Sequence, residues 1–292
     1  MRAIAAVIFI TLLRGQENPV TTFRTESNLV SLNVSVFDKE GHVVKGLPQS
    51  AFRVYEEEQP QEIKVFRQED VPIALGLVID SSASMNDKRE RVNSAALAMV
   101  RASNPEDQVM VITFNDVATV AQGFTSDVKQ LERSLNKTES SGETAMRDAL
   151  TLGLDRLKTN TRQDKKVLLV VTDGEDNSSV VAQERLIRVA HLTNAIIYGI
   201  GILGTEPAES VARAKASMEA LTLATGGRCW FPANAAETGK ITPEIAHEIR
   251  NQYVIGYTPD DSKGTGFRKL RVEVNIPDLK VVTRSGYYAR GQ

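Results

Sequence analysis

The chain has 292 residues, 41% hydrophobic and 25% charged, an ordinary balance for globular domains and enough length for two cores. Its 35 Lys and Arg against 37 Asp and Glu leave a formal charge of −2, so the basic excess of a nucleic-acid binder is missing. The single cysteine, Cys229, excludes an intrachain disulfide and a cysteine-rich zinc site.

In chain order, Met1-Arg2 leads into an apolar run from Ala3 to Leu13. A short positive start and an apolar stretch of that length are marks of a signal peptide, and the run is too short to cross a bilayer as a helix. Arg14-Gly15-Gln16-Glu17 follows where a small-residue cleavage site is usual. A buried N-terminal strand or a mis-called start codon is the alternative. Residues 1–16 are therefore expected to direct export, leaving a mature secreted, periplasmic or envelope protein with no transmembrane segment.

Residues 20–70 read as β structure. Leu29 to Phe37 alternates apolar and polar residues, as a half-buried strand does. Asp38-Lys39-Glu40-Gly41 is a turn, and His42-Val43-Val44 resumes extended chain. Phe52 to Tyr55 and Ile63 to Phe66 alternate again, with Glu56 to Gln61 expected as a solvated hairpin turn between them.

Residues 72–235 change character. Ile73 to Ile79, Val109 to Ile112, Val167 to Val171 and Ala195 to Tyr198 are nearly unbroken apolar runs, which suit strands covered on both faces. Helical spacing lies between them, with Val92, Ala95, Ala96, Met99 and Val100 on one face and further helices near 145–158, 180–192 and 208–225. Strands alternating with helices predict an α/β doubly wound, mostly parallel sheet. Residues 242–292 return to β after a helix at 242–251. Each flanking β segment is small for a core of its own, so the two are expected to pack together as a β-sandwich with the α/β unit inserted between them.

The residues suited to chemistry stand where apolar strands end. Asp80, Ser82 and Ser84 follow the first α/β strand, Asp173 follows a neighbouring one, and Thr144 precedes a helix. Ligands of open parallel sheets bind outside the carboxyl ends of the strands. Carboxylate and hydroxyl oxygens together suit a hard cation such as Mg²⁺, with Mn²⁺ or Ca²⁺ also compatible. Asp80 and Ser82 could instead be helix caps, and Asp173-Gly174 a plain turn.

Asp80-x-Ser82-x-Ser84, Thr144 and Thr172-Asp173-Gly174 resemble the metal-ion-dependent adhesion site of von Willebrand factor type A domains. Val34-x-Val36-x-Asp38, Gly46-Leu47, Phe52-x-Val54-x-Glu56 and Tyr253-x-Ile255-Gly256-Tyr257 resemble bacterial proteins in which such a domain sits between β segments. The resemblance implies a metal site in which Ser82, Ser84 and Thr144 offer hydroxyls and Asp80 and Asp173 act mainly through water. It also implies a protein partner that brings an Asp or Glu carboxylate to the cation. The expected function is thus adhesion or complex assembly. A structural envelope component with a folding-only metal, and a metal-dependent hydrolase, stay open as alternatives.

Other features are weaker. Gly199-Ile200-Gly201-Ile202-Leu203-Gly204 matches G-x-G-x-x-G but lies on a late strand, where glycines easing strand packing account for it better than a dinucleotide site. His42, His191 and His247 are scattered, so Ser82 and Ser84 lack a general base and no enzyme is expected. Cys229 beside Trp230 reads as a packed thiol. Glu175 and Asp176 read as solvated loop residues, and Asn33, Asn136 and Asn177 open N-x-[ST] sequons of little consequence.

Overall fold

The computed structural model describes residues 29–289 apart from 69, 205, 206, 261 and 263. The expected signal segment, 1–16, lies outside the described residues.

The first strands are β1 (Val30–Phe37), β2 (Phe52–Glu56), β3 (Gln59–Gln61) and β4 (Val65–Arg67). The α/β unit follows: β5 (Ile73–Asp80), α1 (Arg89–Arg101), β6 (Gln108–Phe114), β7 (Ala118–Thr125), α2 (Val128–Asn136), α3 (Met146–Thr159) and β8 (Lys165–Thr172). It continues through α4 (Gln183–Thr193), β9 (Ala195–Gly201), α5 (Ala208–Thr225), β10 (Cys229–Trp230) and α6 (Ala235–Arg250). The chain closes with β11 (Tyr253–Tyr257), β12 (Gly266–Val274), β13 (Lys280–Val282) and β14 (Gly286–Ala289).

The α/β unit is a six-stranded sheet in the order β10-β9-β8-β5-β6-β7. Pairing is parallel from β10 to β6, and β7 is an antiparallel edge on β6. All eight residues of β5 are buried, as a central strand covered by helices requires. Its side chains alternate between the two faces. Ile73, Leu75, Leu77 and Ile79 pack with Val92, Met99 and Ile249, while Ala74 and Val78 pack with Leu150, Leu154 and Leu186. Two hydrophobic cores thus lie back to back across one sheet. The predicted face of α1 is the buried one.

The flanking segments form two four-stranded antiparallel sheets, β13-β1-β11-β4 and β14-β12-β2-β3. Leu32, Val34, Phe52, Val54, Ile255, Leu270 and Val272 share their core, so residues from both ends of the sequence fill one sandwich.

The local expectations need several corrections. The helix placed at 242–251 begins at Ala235, and its Ile245, Ala246 and Ile249 join the core under α1. It therefore belongs to the α/β layer and not to the C-terminal β segment. The edge strand β7 and helix α2 were not anticipated. In α2 the signal was Asp127, whose carboxylate caps the amides of Lys129 and Gln130 at 2.9 and 3.3 Å. The extended chain at 42–44 makes a single bridge, Phe37 to Val43. The expected solvated turn at 56–61 is a tight hairpin: Glu57 and Glu58 take positive φ of 48° and 62°, and β3 returns along β2. Residues 65–67 pair instead with β11 in the other sheet.

Glu56 is not in that turn. It is fully buried, pairs with Arg268 at 2.9 Å and accepts hydroxyls from Tyr257 and Tyr287 at 2.6 and 2.8 Å. The signal was present: Phe52, Val54 and Glu56 share one strand face at period two.

Candidate metal centre at the carboxyl edge of the parallel sheet

β5 and β8 are neighbours, and their C-terminal ends carry Asp80 and Thr172. Strand order reverses around β5, because β6 lies on one side of it and β8 on the other. That is the switch point at which open α/β sheets bind ligands.

Three loops meet there. The first leaves β5 and is anchored by Ser81, whose amide and hydroxyl both donate to the Phe114 carbonyl, at 2.7 and 2.9 Å. The second, before α3, is stitched to it by Ser141 N–H to Ser81 O at 2.8 Å and Ala83 N–H to Gly142 O at 3.1 Å. Gly142 has φ +78°, a left-handed position suited to glycine. The third follows β8 and reaches the second through Asn177, whose side-chain oxygen accepts the Thr144 amide at 2.9 Å.

Four of the five predicted ligand residues are joined by hydrogen bonds. Asp80 Oδ1 accepts the Ser82 amide at 2.8 Å and Oδ2 accepts the Thr172 hydroxyl at 2.6 Å. The Ser82 and Ser84 hydroxyls are 3.1 Å apart, and Ser84 donates to Asp173 Oδ1 at 2.9 Å. Thr144 is buried in the adjoining loop, and among the described residues no hydrogen bond links its hydroxyl to the other four. Asp80, Ser82 and Asp173 are also buried. The capping alternative fails at Ser82: it stands at the start of the 3-10 turn Ala83–Lys88 yet makes no side-chain capping bond.

Burial raises the Asp80 carboxyl to about 6 against the bonds from Thr172 and Ser82, and the neighbouring Asp173 charge pushes the same way. A buried carboxylate pair of this kind is short of positive charge. One cation already stands against it: Lys88 Nζ lies 2.7 Å from Asp173 Oδ2. Lys88 was missed in the sequence, although it closes the same 3-10 turn that begins after Ser82.

The donor set is two carboxylates and hydroxyls. Among the described residues no three His, Cys, Asp or Glu side chains gather into a metal-holding group, so a soft or imidazole-preferring ion has no cage here. Oxygen donors around an under-compensated carboxylate pair do fit a small hard cation.

The residues around the cluster are more structural than expected. Asp176 is not a solvated loop residue: it accepts the Arg147 amide at 2.7 Å and pairs with the Arg147 guanidinium at 3.1 Å, holding the start of α3. Glu175 pairs with Arg213 at 2.8 Å. Asn177 fastens Thr144 and also donates to Glu143 at 2.6 Å. The glycines of the 199–204 run are packing sites. A Cβ on Gly199 would meet Met218 at 2.7 Å, and one on Gly201 would meet Phe231 at 2.6 Å. Cys229 packs on the core under α4 and α5, and burial pushes its thiol up. Among the described residues no histidine bonds Ser82 or Ser84; His191 is buried at the end of α4, where its ring bonds Ala224.

The fold and site define a class. The family model described as von Willebrand factor type A domain matches residues 75–175, the part of the α/β unit from β5 through the loop holding Asp173. A von Willebrand factor type A protein from Catenulispora acidiphila superposes with a TM-score of 0.54 at 14% identity, over 92% of this chain and 65% of that one. Proximal thread matrix protein 1 of the mussel byssus, solved with a zinc-occupied adhesion motif, gives 0.53 at 20% identity, over 65% and 48%. A point mutant of the PilB minor pilin from Streptococcus sanguinis gives 0.51 at 13% identity, over 63% of each chain. At these identities the likeness is of fold. An uncharacterized Synechocystis protein, sll0103, is 27% identical over 109 residues. The alignment covers 36% of this chain and spans about a quarter, 26%, of that relative.

Proposed function

We propose that this protein is an exported binding module that recognises a partner protein through a divalent cation, Mg²⁺ foremost, held by Asp80, Ser82, Ser84, Thr144 and Asp173. The observation that carries the reading is the joined cluster of Asp80, Ser82, Ser84 and Asp173 at the sheet switch point, with Ser82 unused as a helix cap. A bound hard cation supplies an electrophilic centre whose remaining positions suit a carboxylate oxygen.

The chain's own residues prepare that centre. Ser82 and Ser84 bring neutral oxygens, which leave more positive charge for a partner than carboxylates would. Asp80 is braced by Thr172 and Asp173 by Ser84, so both acids are oriented before a ligand arrives. Lys88 pairs with Asp173 at 2.7 Å and meets part of its charge. The loops carrying Ser82 and Thr144 are sewn to each other by backbone bonds, so the rim can act as one surface. Support for export comes from the Met1-Arg2 start and the apolar run after it. No helix of the described residues is long and apolar enough to cross a membrane.

The test joins two readouts on wild type and Asp80→Ala. Mg²⁺ titrated into chelator-treated protein should raise the melting temperature of wild type only. A pull-down from envelope and secreted fractions should retain a protein with wild type in Mg²⁺ and lose it in EDTA or with the variant. Retention that ignores EDTA would end the recognition reading. If Mg²⁺ still stabilised wild type in that case, the cation would serve folding alone.

A further inference from the structure

The face of the α/β unit remote from Asp80 holds a polar cavity. It lies where the end of α4 and the start of β9 meet the sandwich, and it has a volume of about 320 Å³, within the range of small-molecule sites. Its polar wall is Arg284, His191 and Asn194. Leu29, Leu192, Pro259, Tyr288 and Ala289 supply an apolar side.

Arg284 is the charged group on that wall. Four other arginines of the fold meet acids: Arg268 meets Glu56 at 2.9 Å, Arg250 meets Asp107 at 2.6 Å, Arg228 meets Glu248 at 3.3 Å and Arg147 meets Asp176 at 3.1 Å. Arg89 and Arg91, half-buried on the opposite side of the unit, keep buried guanidinium nitrogens without a partner, as Arg284 does, but do not line this cavity. Arg284 has no carboxylate partner among the described residues. Its Nη2 donates to the Ser31 carbonyl at 2.9 Å, its Nε is buried without an acceptor, and its guanidinium carbon lies 5.7 Å from the Tyr287 ring centre. Burial pulls its proton affinity down to about 10, which leaves it charged at neutral pH. A half-buried charge with no counter-ion in contact is costly, and proteins usually pair such groups.

Its neighbours are a neutral imidazole and a second cation. His191 Nε2 lies 2.8 Å from the Ala224 carbonyl, which can only accept, so that nitrogen carries the proton. Nδ1 is buried with no partner. Arg188 lies over the Tyr288 ring at 4.8 Å and adds a second positive charge beside the wall.

We propose that this cavity is a binding site for a small organic carboxylate, with Arg284 as its counter-charge. A single guanidinium with one amino group already spent on Ser31 matches a monoanion better than a phosphate dianion, which asks for more donors. The leucines, Pro259 and Tyr288 suit a hydrocarbon or aromatic body on the acid. A free acid and the terminal carboxylate of a peptide share this chemistry, and the test separates them.

The full chain, kept in EDTA so that the Asp80 cluster plays no part, is titrated by calorimetry with benzoate, isovalerate and N-acetyl-leucyl-leucine. The amide of each probe and inorganic phosphate are titrated alongside. We expect one-site saturation by at least one acid near or below about 1 mM, with its amide and phosphate at least tenfold weaker. Arg284→Met should abolish it, and Asp80→Ala should leave it unchanged. Preference for isovalerate or benzoate marks a free acid, and preference for the peptide marks a chain terminus. If Arg284→Met fails to fold, the acid-to-amide ratio on wild type decides. No saturation by any acid, equal binding of acid and amide, phosphate binding as tightly as the acids, or full binding by a folded Arg284→Met would overturn the proposal.

Discussion

Buried carboxylates stand in both halves of this molecule, one in the sandwich and a pair at the edge of the parallel sheet, and they are met differently. In the sandwich, Glu56 is enclosed by Arg268 and by the Tyr257 and Tyr287 hydroxyls, and the same Arg268 satisfies the Asp260 and Gly264 carbonyls. Each partner is fixed in a strand or in the loop that Arg268 pins. At the edge of the parallel sheet, Asp80 and Asp173 are met by short hydroxyls and by one long lysine from a 3-10 turn. The first cluster is closed by its own residues. The second is held in position with its charge only partly met. A buried acid alone therefore says little about function; the kind and mobility of its partners say more.

The sharpest way to break the comparison is to remove the arginine of the closed cluster. Arg268→Ala strands Glu56 in the core and should cost about 3–5 kcal/mol of stability, read by urea unfolding and indifferent to Mg²⁺. A loss under about 1 kcal/mol, or recovery by Mg²⁺, would erase the distinction between the clusters.

A third buried charge gives a control with no acid in direct contact. Lys165 donates to the Ile249 carbonyl at the end of α6, and burial lowers its ammonium from 10.5 to about 8. The unfolded chain keeps that proton up to about 10.5 while the folded chain releases it near 8, so the unfolded state binds more protons in between and stability rises with pH. The gap converts to about 3 kcal/mol. Wild type should gain that much over Lys165→Met between about pH 7 and pH 10.5 in urea titrations, and parallel curves for the two proteins would refute it.

The smallest effect belongs to the open cluster. Lys88→Met removes a charge-assisted bond from Asp173 and should cost about 1–2 kcal/mol in EDTA. Mg²⁺ should restore most of it, because a cation can take over the charge. If thermal melts show Mg²⁺ leaving the deficit intact, Lys88 is a plain structural tether.

The strands buried on both faces were legible because a short, unbroken apolar run between turn residues fits few positions except a strand covered on both sides. Helix α1 was legible from its 3.6-residue stripe. The elements missed were those with mixed patterns. β7 is an edge strand whose residues are half-exposed, and α2 is announced by its Asp127 cap more than by its two buried leucines. Helix α6 runs seven residues further toward the N-terminus than the stretch read as helical and carries Pro243 in its interior, where proline is ordinarily unfavourable. Of the site, Asp80, Ser82, Ser84 and Asp173 could be picked out because strand ends concentrate ligand groups in open sheets. Lys88 and Asn177 could not, since their parts depend on which loop lies against which.

The sequence by itself determined the local periodicities, and with them the strongly patterned strands and helices, their buried faces and the residue types at strand ends. Those features arise from neighbours along one strand or helix, where spacing alone sets direction. Tertiary structure decided which distant charges meet: Glu56 with Arg268 across paired strands, Lys88 with Asp173 across two loops, and Arg284 with no acid among the described residues. Charge pairing depends on distance in space and on the water excluded between the groups, and neither is encoded in the spacing of residues along the chain.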